Sequence, residues 1–311
     1  MMAFMSVMNQ RPDPFLFEQA ATHLRIPVAY VEKDWYVTQV IRLIAEVQIP
    51  GFEIVFTGGT ALAKAHGLLE RFSEDVDFRL RVDENLANRK TLSNFRKLIV
   101  SALRDGGFSF GDENIRSRDE NRFFQIQLPY ESNFDRSVVL RPHVQIELIV
   151  RQPVLPLVRL PVSSLITILT KGKPEVAQIA CLSPVENAAD KISALAWRIP
   201  DRVRGSRFDD RAIVRHVHDL ARLKDKALES DHFVALVQKS MNDDVDRPKR
   251  EDLAALSGQA RLELALNILS EDKEYAQEYD ELVETLSYAK NVLSYGEALE
   301  AVRVLAWKVF A

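Results

Sequence analysis

The sequence predicts an α+β protein, with a mixed sheet and helices in its N-terminal half and a mainly helical C-terminal half. Three observations carry that expectation. Ile54–Leu80 reads as an apolar β-favouring run, a Gly58-Gly59 pair, a short helix and a second strand containing Asp75-Val76-Asp77-Phe78. Residues 123–128 and 143–150 alternate apolar and polar side chains with the period of a strand. Prolines at 153, 156 and 161 then interrupt the pattern, and helical spacing dominates beyond them. The expected division is residues 1–155 with a helical lead-in, and residues 160–311.

Taken in order, residues 14–48 predict two helices broken at Ile26-Pro27, the first with Phe15, Phe17, Ala20, Ala21 and Leu24 on its apolar stripe. The second, from about Val31 to Val47, presents Tyr36, Val40, Leu43 and Ile44. Its opening Glu32-Lys33-Asp34 reads as a charged first helical turn. The strand Ile54-Val55-Phe56 ends at two glycines, which permit a sharp turn and close approach to a ligand. Thr60 then reads as the N-cap of the helix that follows. Strand, Gly-rich turn and helix N-terminus aim N–H groups at an anion, phosphate above all. On the next strand, period-2 geometry places the carboxylates of Asp75 and Asp77 on one face and Val76 and Phe78 on the other. Two hard oxygen ligands beside a phosphate cradle predict a site for Mg²⁺ and a nucleoside triphosphate. Arg71, just ahead of Asp75, either steers a triphosphate or offsets charge.

A helix is expected over 84–103, stopped by Gly106-Gly107, followed by a charged hairpin edge at 112–122. Strand 143–150 puts Val144, Ile146, Leu148 and Val150 on one face and Gln145, Glu147 and Ile149 on the other. Glu147 is either a solvent-facing acid or a third carboxylate of the site. Ser183-Pro184-Val185-Glu186 opens a helix with a capping-box pattern. Arg202, Arg204 and Arg207 form a local basic cluster, to be read as a nucleic-acid contact or a solvated loop. His216 and His218 diverge too far around a helix to share a metal. Residues 230–311 predict amphipathic helices without visible chemistry.

Composition narrows the classes. With 47% hydrophobic and 28% charged residues the chain matches an ordinary globular protein, and its formal charge of −4 gives no overall basic field for nucleic acid. The single cysteine, Cys181, excludes an intramolecular disulfide and a cysteine zinc finger, consistent with a reducing, cytoplasmic setting. No positively charged stretch leads into an apolar core at the N-terminus, so no signal peptide is expected, and no apolar run suffices for a membrane span.

The glycine pair followed by Asp-x-Asp resembles the nucleotidyltransferase superfamily of polymerase-β type. More narrowly, GGTALAK with RFSEDVDF resembles the AbiEii/AbiGii family of nucleotidyltransferase toxins. Three further elements agree. Glu32-Lys33-Asp34-Trp35 resembles the family's Glu-Lys-Asp-aromatic element. Lys191 to Arg198 is similar to a Lys-x-x-Ala-x-x-x-Arg motif, although the residues by themselves read Lys191 as a solvated lysine. Arg215 to Leu220 resembles Arg-Asp-x-x-Asp-Leu, with Asp219 at the functionally important last acid and His216 where the first is common.

The resemblance implies a polymerase-β-like domain followed by a helical one that brings Lys191 and Asp219 to the site. Gly58, Gly59 and Thr60 would hold the triphosphate with help from Lys64. Asp75, Asp77 and Glu147 would hold Mg²⁺, and Lys191 would support the phosphates. Asp219 would orient Lys191, the nucleotide or the acceptor. The implied substrate is an NTP, the implied acceptor RNA with the tRNA 3′ end favoured, and the implied partner a separately encoded antitoxin. Two other readings stay open: a nucleotide-binding regulator without turnover, and transfer to a protein or small-molecule hydroxyl.

Overall fold

A computed structural model describes residues 7, 11–135, 140–206 and 208–310. In chain order the elements are α1 (Pro14–Leu24), α2 (Val28–Ala45), β1 (Phe52–Thr57), α3 (Gly58–Lys64), β2 (Asp75–Val82), α4 (Arg89–Asp105), β3 (Ile115–Arg118), β4 (Phe123–Pro129) and β5 (His143–Val150). They continue with β6 (Val158–Val162), α5 (Leu165–Leu169), β7 (Val176–Cys181), α6 (Pro184–Asp201), α7 (Arg215–Leu228), α8 (Phe233–Asp243), α9 (Glu251–Ala254), α10 (Gly258–Glu271), α11 (Glu274–Leu286) and α12 (Tyr295–Phe310). The chain divides into two compact units: residues 1–67 with 72–182, and residues 68–71 with 183–311.

The first unit is built on a seven-stranded mixed sheet in the order β3-β4-β5-β2-β1-β7-β6. β1 pairs antiparallel with β2 and parallel with β7, while β2 pairs parallel with β5. Alternation decides what each face does. Phe56, Val76, Phe78, Leu80, Phe124, Ile126, Val144, Ile146 and Leu148 are buried on one face. They join α2 and α4 in one core. Each such side chain contributes roughly 1.5–3 kcal/mol on burial, so that face fixes the register. The opposite face is then left to Asp75, Asp77, Gln125, Gln145 and Glu147.

α2 is buried nearly all round, as a helix at the centre of a core must be. It begins at Val28, so Lys33 and Asp34 lie beyond its first turn. Glu32, Lys33 and Asp34 are all buried, in contrast to the solvated turn their charge suggests. α4 buries Leu92, Phe95, Ile99 and Leu103 at helical spacing, and Asn88 Oδ1 caps it by accepting from Thr91 N–H at 3.1 Å.

The proline-rich stretch does not end the sheet. β7 returns to β1, and β6 closes the edge beside it, carrying Pro161 at a register shift between Leu160 and Val162. An edge strand with a bulge tolerates a residue that lacks an N–H. The first unit thus extends to Leu182, past the boundary expected near 155–160.

The second unit is helical apart from its short segment 68–71. Ser183 Oγ caps α6 by accepting from Val185 N–H at 3.2 Å, with Pro184 in the first turn. α6 packs on α7, α8 and α10, and α7 packs on α12. Ala188, Ile192, Leu195, Val217, Leu220, Val302 and Leu305 are buried among them. Among the described residues no helix is long and apolar enough to cross a membrane.

Candidate active site

Asp77 of β2 faces Thr57 of β1 on one side and Glu147 of β5 on the other, and Glu147 in turn faces Gln125 of β4. Directly opposed residues point to one face, so Gln125, Glu147, Asp77 and Thr57 form a row across four strands. Asp75 stands two residues along β2 on the same face. β1 ends where the row does, and the chain turns at Gly58 with φ +77°. A Cβ at Gly58 would lie 2.2 Å from Asp77 Oδ2. The glycine turn and the second aspartate are therefore in direct contact, and only glycine satisfies both the left-handed backbone and the space. Gly58→Ala is expected to lower stability by roughly 1–3 kcal/mol and to displace the Asp77 carboxylate. A chemical melt and a transfer assay check both effects.

α3 starts at Gly58 with Thr57 as its N-cap residue, so Thr60 lies inside the helix instead of capping it. Its buried hydroxyl donates to the Asp75 carbonyl and lies 2.9 Å from Ser73 Oγ, which fastens the helix to the start of β2. Lys64 Nζ donates to the buried carboxylate of Asp34. The other Asp34 oxygen accepts from Leu165 N–H at 2.7 Å, so this pair ties α3 to α2 and α5.

The acids are not alike. Glu147 Oε1 accepts from Gln125 Nε2 at 3.0 Å and from Gln145 Nε2 at 2.8 Å. Burial, reinforced by the charge of Asp75, pushes its carboxyl above the usual glutamate range. Asp75 accepts from Arg141 Nη1. Arg141 and its neighbour Glu74 were not singled out by sequence. The one local signal was a cationic residue directly ahead of the strand that pairs with Asp-x-Asp. Three carboxylates on one face offer the hard oxygen donors that suit a divalent cation such as Mg²⁺. Asp75 is engaged by Arg141 and Glu147 by the two glutamines, and among the described residues no group of three or more His, Cys, Asp or Glu gathers closely enough to hold a metal.

The second unit holds Lys191 on α6 and Asp219 on α7. Both are buried, so Lys191 is not the solvated lysine that its surroundings in sequence suggest. Asp219 accepts from Arg71 Nε and Nη2 at 2.7 Å each, from Lys191 Nζ at 2.8 Å, and stands 3.2 Å from His218 Nδ1. Burial would raise its carboxyl, but the Arg71 and Lys191 cations prevail and hold it well below the usual aspartate range. Arg71 therefore pairs with Asp219 within the helical unit. Its segment is also bridged to Ser287, and Glu70 O accepts from Tyr288 N–H at 3.0 Å. His216 is partly buried. Burial, with Lys191 and Arg198 nearby, drops it well below the ordinary histidine range and keeps it neutral.

The basic cluster is spent internally. Arg202 donates to both Glu278 oxygens at 2.6–2.7 Å and to Asp209 at 2.7 Å, and its side chain is only 4% exposed. Arg204 donates to Asp272 and Glu278. These partners lie some 70 residues away, which is why the arginines look free in sequence. Arg207 lies outside the described residues.

The model of the family described as "Nucleotidyl transferase AbiEii toxin, Type IV TA system" matches residues 47–301. No curated protein matches the chain. Among solved structures it is similar to MenT4, a nucleotidyltransferase toxin from Mycobacterium tuberculosis H37Rv, at 17% identity and TM-score 0.48, covering 93% of this chain and 98% of that one. It is also similar to JHP933 from Helicobacter pylori, at 15% identity and TM-score 0.41, covering 94% and 92%. With the glycine turn, the Asp-x-Asp strand and most of the chain inside the matched span, the chain belongs to the AbiEii family of nucleotidyltransferase toxins of type IV toxin–antitoxin systems.

Proposed function

We propose that the chain transfers a nucleoside monophosphate from an NTP to RNA, the tRNA 3′ end being the favoured acceptor, with Mg²⁺ as the required ion. The observation that carries this reading is the contact of the Gly58 turn with Asp77, in one row with Glu147 and beside Asp75. Gly58 and Gly59 let backbone approach the triphosphate closely, and Thr60 keeps that turn fastened to β2. Asp75 and Asp77 hold the cation, with Glu147 as the third carboxylate. Bound there, the ion would neutralise charge on the phosphates and lower the pKa of the attacking hydroxyl.

The ion pair of Lys64 with Asp34 supports a role for Lys64 in bracing α3, with the backbone of the turn as the principal phosphate contact. Lys191 and Asp219 enter this proposal on the resemblance of their motifs. Within their unit the ion pair supports one role for Asp219, that of orienting Lys191. The RNA acceptor, a separately encoded antitoxin and action in the cytoplasm also rest on the family.

The test is incubation with Mg²⁺, each labelled NTP in turn and total tRNA. Label should pass to tRNA from one preferred NTP, and should fail to do so with Asp75→Ala or with chelator. NTP binding without transfer to RNA, protein or small acceptors would instead establish a regulator, and transfer only to a protein or small molecule would replace the acceptor.

A further inference from the structure

One cation already sits on the acid row. Arg141 Nη1 donates to Asp75 Oδ1, and its Nε lies 3.8 Å from Glu74 Oε1. The backbone of Arg141 is gripped on both sides. Its N–H donates to Glu74 Oε2 at 3.1 Å, and its carbonyl accepts from Lys33 Nζ at 2.7 Å. Lys33 Nζ also donates to Glu74, which closes the loop of contacts. Lys33 is fully buried, the Glu74 side chain is 15% exposed, and the Arg141 side chain reaches furthest into solvent, at 35% exposure.

As a source of stability this arrangement is poor. Burying an ammonium and a carboxylate costs about as much as their attraction returns, and apolar side chains of similar size would serve as well. As a means of aiming one guanidinium it is effective, because both peptide groups flanking the Arg141 Cα are fixed. A guanidinium binds carboxylate and phosphate with the same planar fork. Asp75 can give one oxygen either to that fork or to a divalent ion, so the two cations compete for it.

We propose that Arg141 is the resident counter-cation of the acid row: it occupies Asp75 while no metal is bound, and binds a nucleotide phosphate once a divalent ion takes that carboxylate. Lys33 and Glu74 are its positioning residues. The inference rests on the function proposed above.

The experiment uses the full chain and two titrations, Mn²⁺ without nucleotide, and inorganic pyrophosphate at saturating Mn²⁺. Arg141→Gln should bind Mn²⁺ about tenfold more tightly, since one charge-assisted hydrogen bond no longer has to be broken. The same variant should bind pyrophosphate about tenfold more weakly. Arg141→Lys keeps the charge and both backbone contacts, so it should fall between wild type and glutamine in each titration. It also guards against misfolding of the glutamine variant. Lys33→Met should weaken pyrophosphate binding while leaving Arg141 in the sequence. Mn²⁺ affinity unchanged or weakened in both Arg141 variants overturns the inference. Asp75→Ala separates the two levels: if it abolishes Mn²⁺ binding while Arg141→Gln changes nothing, only the role of Arg141 is lost. If Mn²⁺ binds Asp75→Ala normally, the function proposed for the acid row fails first.

Discussion

Replacing Asp77 by asparagine is expected to lower nucleotidyl transfer about a thousandfold while leaving the melting temperature unchanged or slightly raised. The side chain keeps its shape, so it still fits against the Gly58 turn, whose missing Cβ leaves no slack. What disappears is one charge from a row that also holds Glu147, with Asp75 beside it. Charge stabilisation by a bound divalent ion is worth several kcal/mol in the transition state, and about 1.4 kcal/mol is a factor of ten in rate. Stability moves the other way, because carboxylates set side by side on one sheet face repel one another. Single-turnover transfer at saturating NTP and Mg²⁺, set beside a thermal melt, reads both. A variant that melts far lower and loses activity in proportion would make Asp77 a structural residue.

The second large effect lies in the helical unit. Asp219→Ala should destabilise the protein by roughly 3–5 kcal/mol, since it leaves the buried Arg71 and Lys191 cations without their shared carboxylate. Urea unfolding followed by far-UV circular dichroism measures this. Combining it with Arg71→Leu and Lys191→Met should recover most of the stability, because apolar groups of similar volume replace buried ion pairs at little cost. If activity stays absent after stability returns, the ionic groups are needed for the reaction itself. Recovery of both would reduce the triad to architecture. The pH dependence has a definite sign. The Asp219 carboxyl is depressed in the folded state, so its contribution is complete above the ordinary aspartate value of 3.8 and is lost as pH falls through the folded value below it.

Much of this architecture is written locally. β5 covers 143–150 as its alternation indicates, and Asp75 and Asp77 share a face because their strand has period two. The glycine turn was legible for the same reason: it needs only a strand, a bend and a helix former in succession. Side-chain partners were not legible, because no periodicity relates residues far apart in the chain. Lys64 meets Asp34 across 30 positions, and Lys33 meets Glu74 across 41. Arg202 meets Glu278 across 76. In each case the charge was visible and its neutralisation was not. Proline misled in a different way, because Pro161 is excluded from a central strand but not from the bulged edge that β6 forms.

The allocation of residues 68–71 to the helical unit has a bearing on biosynthesis. Arg71 leaves the ribosome 148 residues before Asp219. At typical elongation rates that is an interval of about 7–30 s, during which the nascent chain holds a complete Gly-Gly and Asp-x-Asp sequence but not yet Asp219. Ser287 and Tyr288, which secure the same four residues, emerge later still. A translation product truncated before those residues therefore lacks the groups that secure this four-residue segment.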